Sequence, residues 1–152
     1  MSEVLFYHLE HARLESVLAG LLDKTLSRGW RAVVRCGSRA AADRLDEHLW
    51  TFSDESFLPH GAGVDLEEAA KQPIWLTDGA ERPNKADILF LVDGAAATAA
   101  EVDDFVRCVN IFDGGDEEAL GRARAFWKEM KTGGVEATYW RQSAEGRWEK
   151  QG

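Results

Sequence analysis

Cysteine is scarce in this chain of 152 residues, which holds only Cys36 and Cys108. Two cysteines are too few for a disulfide framework or for a zinc site built on thiolates. Both lie in apolar runs, so we expect them to be buried as reduced thiols. The class of small disulfide-stabilised scaffolds is therefore excluded.

Long apolar runs are also missing. No run reaches the roughly 18 residues that a membrane helix needs, and no charged-then-apolar leader stands at the start. An apolar share of 45% is that of an ordinary globular protein, and a chain of this length can bury a core. We therefore expect a cytoplasmic protein without membrane contact, folded as a single domain over residues 1–152.

The common catalytic and phosphate-binding motifs are absent from the sequence. It contains no Gly-x-x-x-x-Gly-Lys loop, no Gly-x-Gly-x-x-Gly after a strand and no Gly-x-Ser-x-Gly turn. His8 and His11 share a helix-like spacing, but no third metal ligand stands near them in the sequence. The sequence thus indicates no reaction, no cofactor and no metal.

The charge is negative overall and unevenly distributed. A net charge of −9 argues against a protein that coats nucleic acid by itself, because duplex binding needs Lys and Arg on the phosphates. Residues 1–120 hold 11 basic and 23 acidic residues, whereas residues 121–152 hold 7 basic and 4 acidic residues. One cationic end on an acidic molecule favours an acidic partner at that end.

Segments of strand and helix character alternate along the chain, which is typical of an α/β fold with a mostly parallel central sheet flanked by helices. Residues 86–92 are the most apolar segment and are expected to form a central strand. Asp116 is expected to cap the helix that follows it. A polar tail after about residue 142 is expected to be less ordered. The predicted strands are residues 4–7, 30–36, 74–77, 86–92, 106–112 and 135–140, and the predicted helices are residues 14–26, 38–50, 95–105 and 117–132.

The helix predicted over residues 117–132 carries a face suited to binding. With ~3.6 residues per turn, an arc of about 100° holds three cations beside an aromatic ring and a leucine. This cationic stripe consists of Leu120, Arg124, Trp127, Lys128 and Lys131. It fits an acidic peptide with an apolar end, since Arg124 would bind a carboxylate and Trp127 would wall an apolar pocket. Solvated cations that oppose the helix dipole explain the same spacing.

A second candidate surface is aromatic. Trp50, Phe52 and Phe57 stand within eight residues, at the end of the second predicted helix and in the loop after it. Such residues commonly fold inward as a satellite core. Otherwise they form an apolar patch for a protein partner.

Two rival functions stay open at this point. Asp78 and Asp93 end predicted strands, and together with the long irregular segment 51–71 they would suit a small α/β enzyme or nucleotide-binding protein. Trp140 and Trp148 with Arg141 and Arg147 would suit a direct single-stranded DNA binder.

Six sequence blocks resemble the chi subunit of bacterial DNA polymerase III holoenzyme, in the right order over nearly the whole chain. The second and third blocks together are the most specific. The blocks are Phe6–Tyr7, Arg44–Trp50, Glu55–His60, Pro73–Ile74, Ala86–Leu89 and Ala123–Lys128.

The resemblance implies a Rossmann-like fold with no catalytic site of its own. It also implies a replication adaptor that joins the clamp loader, through the psi subunit, to the C-terminal tail of single-stranded DNA-binding protein. That tail is acidic and ends in an apolar aromatic residue with a free carboxylate. Single-stranded DNA would then be contacted indirectly.

The resemblance also assigns roles to residues. Arg124, Trp127 and Lys128 match the family's tail-binding helix, with Trp127 where many relatives have tyrosine. Trp50 and Phe57 match its psi-contacting aromatics. Because psi does not accompany chi in every bacterium, an equivalent protein such as a helicase is the alternative partner there. Residues 112–120 align only with a gap.

Overall fold

The computed structural model describes residues 2–10, 12–51, 60–62, 70, 72–143, 145 and 147–151, with the backbone alone for 50, 51 and 60–62. Within these residues one sheet carries eight strands and two helical layers. The strands are β1 Glu3–Leu9, β2 Ala32–Cys36, β3 His60–Ala62, β4 Ile74–Thr77, β5 Ile88–Val92, β6 Arg107–Asp113, β7 Glu136–Gln142 and β8 Trp148–Lys150. The helices are α1 Leu14–Ser27, α2 Arg39–Thr51, α3 Ala99–Asp103 and α4 Glu117–Thr132.

The strand order across the sheet is β3-β4-β2-β5-β6-β1-β7-β8. Neighbouring strands from β3 across to β7 run parallel, and β8 pairs antiparallel with β7. The α/β class and the mostly parallel sheet are therefore confirmed. So is the central place of the strand predicted over residues 86–92, which contains β5.

Two short strands were not predicted. The segment 51–71, expected to be irregular, contains β3, which extends the sheet beside β4. The tail expected to be less ordered after residue 142 contains β8, where Trp148 pairs with Gln142. A strand of three residues is too short to show an alternating pattern, so its pairing partner rather than its own sequence defines it.

The helices lie on opposite faces of the sheet. The chain moves along the sheet in one direction from β1 to β3 and in the other from β5 to β7. Because parallel crossovers are right-handed, α1 and α2 cover one face while α3 and α4 cover the other. Two buried clusters match this division: Leu18 and Leu45 belong to the first, and Phe126 and Met130 to the second.

The helix ends follow the expected chemistry. The side chain of Asp116 accepts hydrogen bonds from the backbone N–H groups of Glu118 and Ala119, and this cap starts α4 where it was predicted to start. Gly29 adopts a φ of 78° just after α1, as the end of that helix requires. Helix α3 is shorter than predicted because Thr98 begins it with a reciprocal capping box to Glu101.

Both cysteines are buried and free, as predicted. Burial raises the pKa of the Cys36 thiol to about 12 and raises that of Cys108 further, so both stay protonated. Among the helices of the described ranges, none combines the length and apolarity that crossing a bilayer takes.

Candidate functional site

Helix α4 presents the cationic stripe to solvent because its opposite side is held by the sheet. Ala123, Phe126 and Met130 are buried in the second core cluster. Arg124, Lys128 and Lys131 are exposed, while Leu120 and Trp127 are half-buried at the border between solvent and core. The structure thus brings the five residues of the stripe onto one side of α4.

The positive charges of the stripe are not neutralised locally. Within the described residues, no carboxylate lies within 4.0 Å of Arg124, Lys128 or Lys131, whereas Arg122 on the same helix pairs with Glu118 at 3.8 Å. An exposed guanidinium without a partner is available for an external carboxylate. This arrangement differs from an internal ion pair, which would have removed Arg124 from solvent.

The indole of Trp127 is fixed by aromatic neighbours. Its ring centroid lies 5.3 Å from that of Phe6 and 6.1 Å from that of Tyr139. The ammonium nitrogen of Lys131 lies 5.0 Å from the centre of the same ring, within cation–π range. An apolar wall bordered by cations is therefore held in place by the core.

Tyr139 extends this wall and was not predicted as a site residue. Burial raises the pKa of its phenol, while the charges of Arg141 and Arg124 act in the opposite direction. Its neighbour Arg141 pairs with Glu10 at 2.5 Å, so that guanidinium is already engaged. Alternation along β7 places Tyr139 and Arg141 on one face, but only the β1–β7 pairing brings that face beside α4.

His8 holds the Tyr139 side chain in place through a hydrogen bond. Its Nδ1 shares a hydrogen bond of 2.5 Å with the Tyr139 hydroxyl, and its Nε2 lies 3.4 Å from Glu10. The ring packs edge-on against Phe112, and a Cβ added to Gly114 would collide with it. Burial is the main cause that lowers the pKa of His8, helped by Arg141 and opposed by Glu10 and Asp113.

This lowered pKa predicts a pH dependence of stability. In the unfolded chain His8 titrates near 6.5, so below that pH the unfolded state binds more protons than the folded state. The free energy of unfolding should therefore fall as the pH drops from neutrality through 6.5 toward the folded pKa. Urea titrations of the native protein and of His8→Gln across this range measure it. The native curve should lose more stability on acidification than the variant, and parallel curves would contradict the assignment.

The second predicted surface falls largely on residues outside the described part. Phe52 and Phe57 lie outside it, and Trp50 is described by its backbone alone, in the last turn of α2. On the same helix Leu45 and Leu49 are buried in the first core cluster. The interpretation of the three aromatics as a partner surface stays a prediction.

The acids of the enzyme hypothesis are both engaged in ion pairs. Asp78 lies 3.6 Å from Arg39, and Asp93 lies 3.7 Å from Arg44. A cavity of about 380 Å³ does open at the carboxyl ends of β5 and β6. Of the described residues that line it, four are acids and one, Arg122, is a cation, a charge balance that repels phosphate. The four acids are Asp93, Asp113, Asp116 and Glu129. Among the described residues no group of acids, histidines and cysteines could hold a metal ion.

The four residues of the direct DNA-binding hypothesis do not form one surface. Trp140 and Arg141 are adjacent in β7 and so point to opposite faces of the sheet. Trp148 packs edge-on against Tyr7 with the ring centroids 4.9 Å apart, on the face that carries α1. Arg141 is paired with Glu10 on the α4 face.

Comparison with known proteins decides the family. The profile of the family described as DNA polymerase III chi subunit, HolC, matches residues 1–138. The chain belongs to the DNA polymerase III chi subunit family. This confirms the resemblance seen in the sequence, and the matched region includes the whole cationic stripe.

Two relatives carry the chi name. The probable DNA polymerase III subunit chi of Rickettsia prowazekii (strain Madrid E) is 29% identical over 92 residues, which are 60% of this chain and 55% of that protein. The DNA polymerase III subunit chi of Pseudomonas aeruginosa (strain PAO1) is 33% identical over 93 residues, which are 59% of this chain and 63% of that protein. The chain thus spans less than two thirds of either relative.

Proposed function

We propose that this chi-family protein is a non-catalytic accessory subunit of the DNA polymerase III clamp-loader assembly, acting in the cytoplasm during DNA replication. In this role it joins the assembly to the acidic C-terminal tail of single-stranded DNA-binding protein. The observation that carries the proposal is a set of three exposed cations around a half-buried indole, on a chain with a net charge of −9. None of the three has an ion-pair partner among the described residues. Such a surface selects an acidic ligand with an apolar end.

Each residue of the stripe has a different role in binding the tail. The Arg124 guanidinium takes the terminal carboxylate of the tail through two parallel hydrogen bonds. The terminal aromatic side chain packs against Trp127 and Leu120, which the core holds in place. Lys128 and Lys131 attract the preceding acidic residues, so binding weakens as salt screens the charges. This contact touches DNA only through the protein that coats it.

A peptide titration tests the ligand chemistry. We expect a synthetic acidic tail peptide to bind the whole chain with moderate affinity, falling at high salt, as measured by calorimetry. Amidation of its C-terminal carboxylate removes the negative charge that Arg124 binds. Removal of its terminal aromatic residue removes the apolar contact with Trp127 and Leu120. Each change should abolish measurable binding. Equal affinity of the free and amidated peptides would refute the proposed mode.

We further propose that Trp50, Phe52 and Phe57 bind the second partner, the psi subunit or an equivalent protein such as a helicase. Their support is the concentration of three aromatics within eight residues of the sequence. Trp50→Ala and Phe57→Ala should leave the affinity for the tail peptide unchanged and weaken capture of the second partner. Loss of both activities in either variant would instead indicate unfolding, which a thermal melt followed by circular dichroism detects.

A further inference from the structure

A second groove lies on the face of the sheet opposite the stripe. Helix α1 connects β1 to β2 and has to cross β6 and β5 on the way, so it covers several strands alone. A cavity of about 190 Å³ remains between its last turns and the sheet. Its floor is apolar and comes from Leu5, Ile88, Phe90 and Val109.

Cations surround the mouth of this groove. Lys24, Arg28 and Arg107 all line it. Within the described part of the chain, no carboxylate lies within 4.0 Å of Lys24 or Arg28, while Arg107 has Glu3 at 3.7 Å. Three cations around one groove stand out on an acidic chain, and the dipole of α1 accounts for only the two at its end.

The indole of Trp30 contacts two of these cations, Arg28 and Arg107. The guanidinium carbons of Arg28 and Arg107 lie 5.2 Å and 5.4 Å from the centre of the Trp30 ring. Trp30 is itself half-buried and lines the groove. Two guanidinium groups held on one ring present their N–H donors with little further loss of side-chain freedom.

The groove supplies hydrogen-bond donors rather than acceptors. Among the described residues nothing bonds the Tyr7 hydroxyl, which lines the cavity, and burial raises its pKa so that it stays a donor. The Thr25 hydroxyl donates to Leu21, and the carbonyls of Lys24, Thr25 and Leu26 already accept backbone N–H groups. Phosphate oxygens accept only, whereas a peptide backbone would also bring N–H donors that need acceptors.

We propose that this groove between α1 and the amino-terminal halves of β1, β5 and β6 binds one nucleotide unit of nucleic acid or a free nucleotide. The phosphate lies between Lys24, Arg28 and Arg107, and the base enters the apolar cavity behind them. This site is separate from the tail-binding stripe and would add a direct contact with single-stranded DNA to the indirect one.

Fluorescence polarisation of a labelled oligo-dT strand, with the whole chain at low salt, tests the proposal. The double variant Lys24→Gln/Arg28→Gln should bind about tenfold more weakly, because two phosphate contacts are lost. Since a single phosphate is neutralised in the groove, the logarithm of Kd should rise with the logarithm of salt with a slope of about 0.7. Lys128→Gln removes one exposed charge from the stripe and serves as the control, which should bind the strand like the native chain.

Competing ligands identify the source of the nucleotide. Displacement by thymidine monophosphate assigns the groove to free nucleotides, and displacement by unlabelled strand alone assigns it to single-stranded DNA. Equal displacement by inorganic phosphate overturns the role of the base. Unchanged binding by the double variant, or equal weakening by Lys128→Gln, overturns the site.

The acidic tail peptide separates this proposal from the previous one. The double variant should bind the peptide normally, whereas Lys128→Gln should bind it more weakly. Loss of peptide binding in the double variant would show that the peptide binds in the α1 groove, and it would overturn the assignment of this groove to a nucleotide. Failure of the strand to bind, with normal peptide binding, rejects the groove and leaves the tail site standing.

Discussion

Arg124→Ala is expected to raise the Kd for the acidic tail peptide about 30-fold or more while leaving the fold intact. A charged, two-pronged hydrogen bond to a carboxylate contributes about 2 kcal/mol or more, which corresponds to that factor. The side chain is exposed and has no ion pair among the described residues, so its removal leaves no internal charge unpartnered. Calorimetric titration with the peptide measures the loss, and a urea titration checks the fold.

Arg122→Ala is the matched control for this experiment. Arg122 lies two residues away on the same helix and is also exposed, but it points to the side of α4 that lines the acidic cavity and pairs with Glu118. Its removal changes the net charge equally and should leave peptide affinity nearly unchanged. Arg124→Lys keeps the charge and loses the second hydrogen bond, so it should bind with intermediate affinity. Equal weakening by Arg122→Ala and Arg124→Ala would mean that total charge, not the stripe, determines binding.

The elements defined by their own residues were predictable from the sequence. Helix α4 has a capping Asp116, acids in its first turn and an apolar stripe, and it was predicted with the observed bounds. The apolar run of β5 likewise predicted a strand covered on both faces. These signals are local, because each depends on neighbours a few residues away in the chain.

The surroundings of the stripe were not predictable because they depend on pairing between distant segments. His8 and Tyr139 are 131 residues apart and meet only through the β1–β7 register. The α1 groove similarly joins Lys24 and Arg28 to Arg107 across the sheet. The sequence shows which residues share a face of one helix, but not which strand lies under that face.

The topology also places the two proposed binding surfaces on opposite faces of the sheet. Since α1 and α4 cover opposite faces, each carries its own set of cations beside an aromatic ring: Trp127 at α4 and Trp30 at α1. The centre of the sheet between them is covered on both faces, since every residue of β2 and β5 is buried. The two sites should therefore bind independently unless one ligand changes the stability of the sheet itself.

Phe6→Ala should have a large effect on stability and a specific effect on peptide binding. Phe6 is fully buried in β1, with ring centroids 5.5 Å from Phe126 and 5.3 Å from Trp127. Loss of a buried phenyl group costs about 3–5 kcal/mol of unfolding free energy, and the cavity removes the support beneath the indole. Urea titration should show this loss, and calorimetry at low temperature should show weaker peptide binding in the folded variant.

The comparison with Phe105→Ala decides whether the effect of Phe6→Ala on binding is local. Phe105 belongs to the same core cluster and is also buried, but its ring packs against Arg82, 4.4 Å away, rather than against the stripe. Its removal should cost a similar free energy of unfolding without changing the Kd for the peptide. If both variants weaken peptide binding equally, the indole responds to the stability of the whole domain. If only Phe6→Ala does so, the contact between the Phe6 ring and the Trp127 indole is what supports the apolar wall of the site.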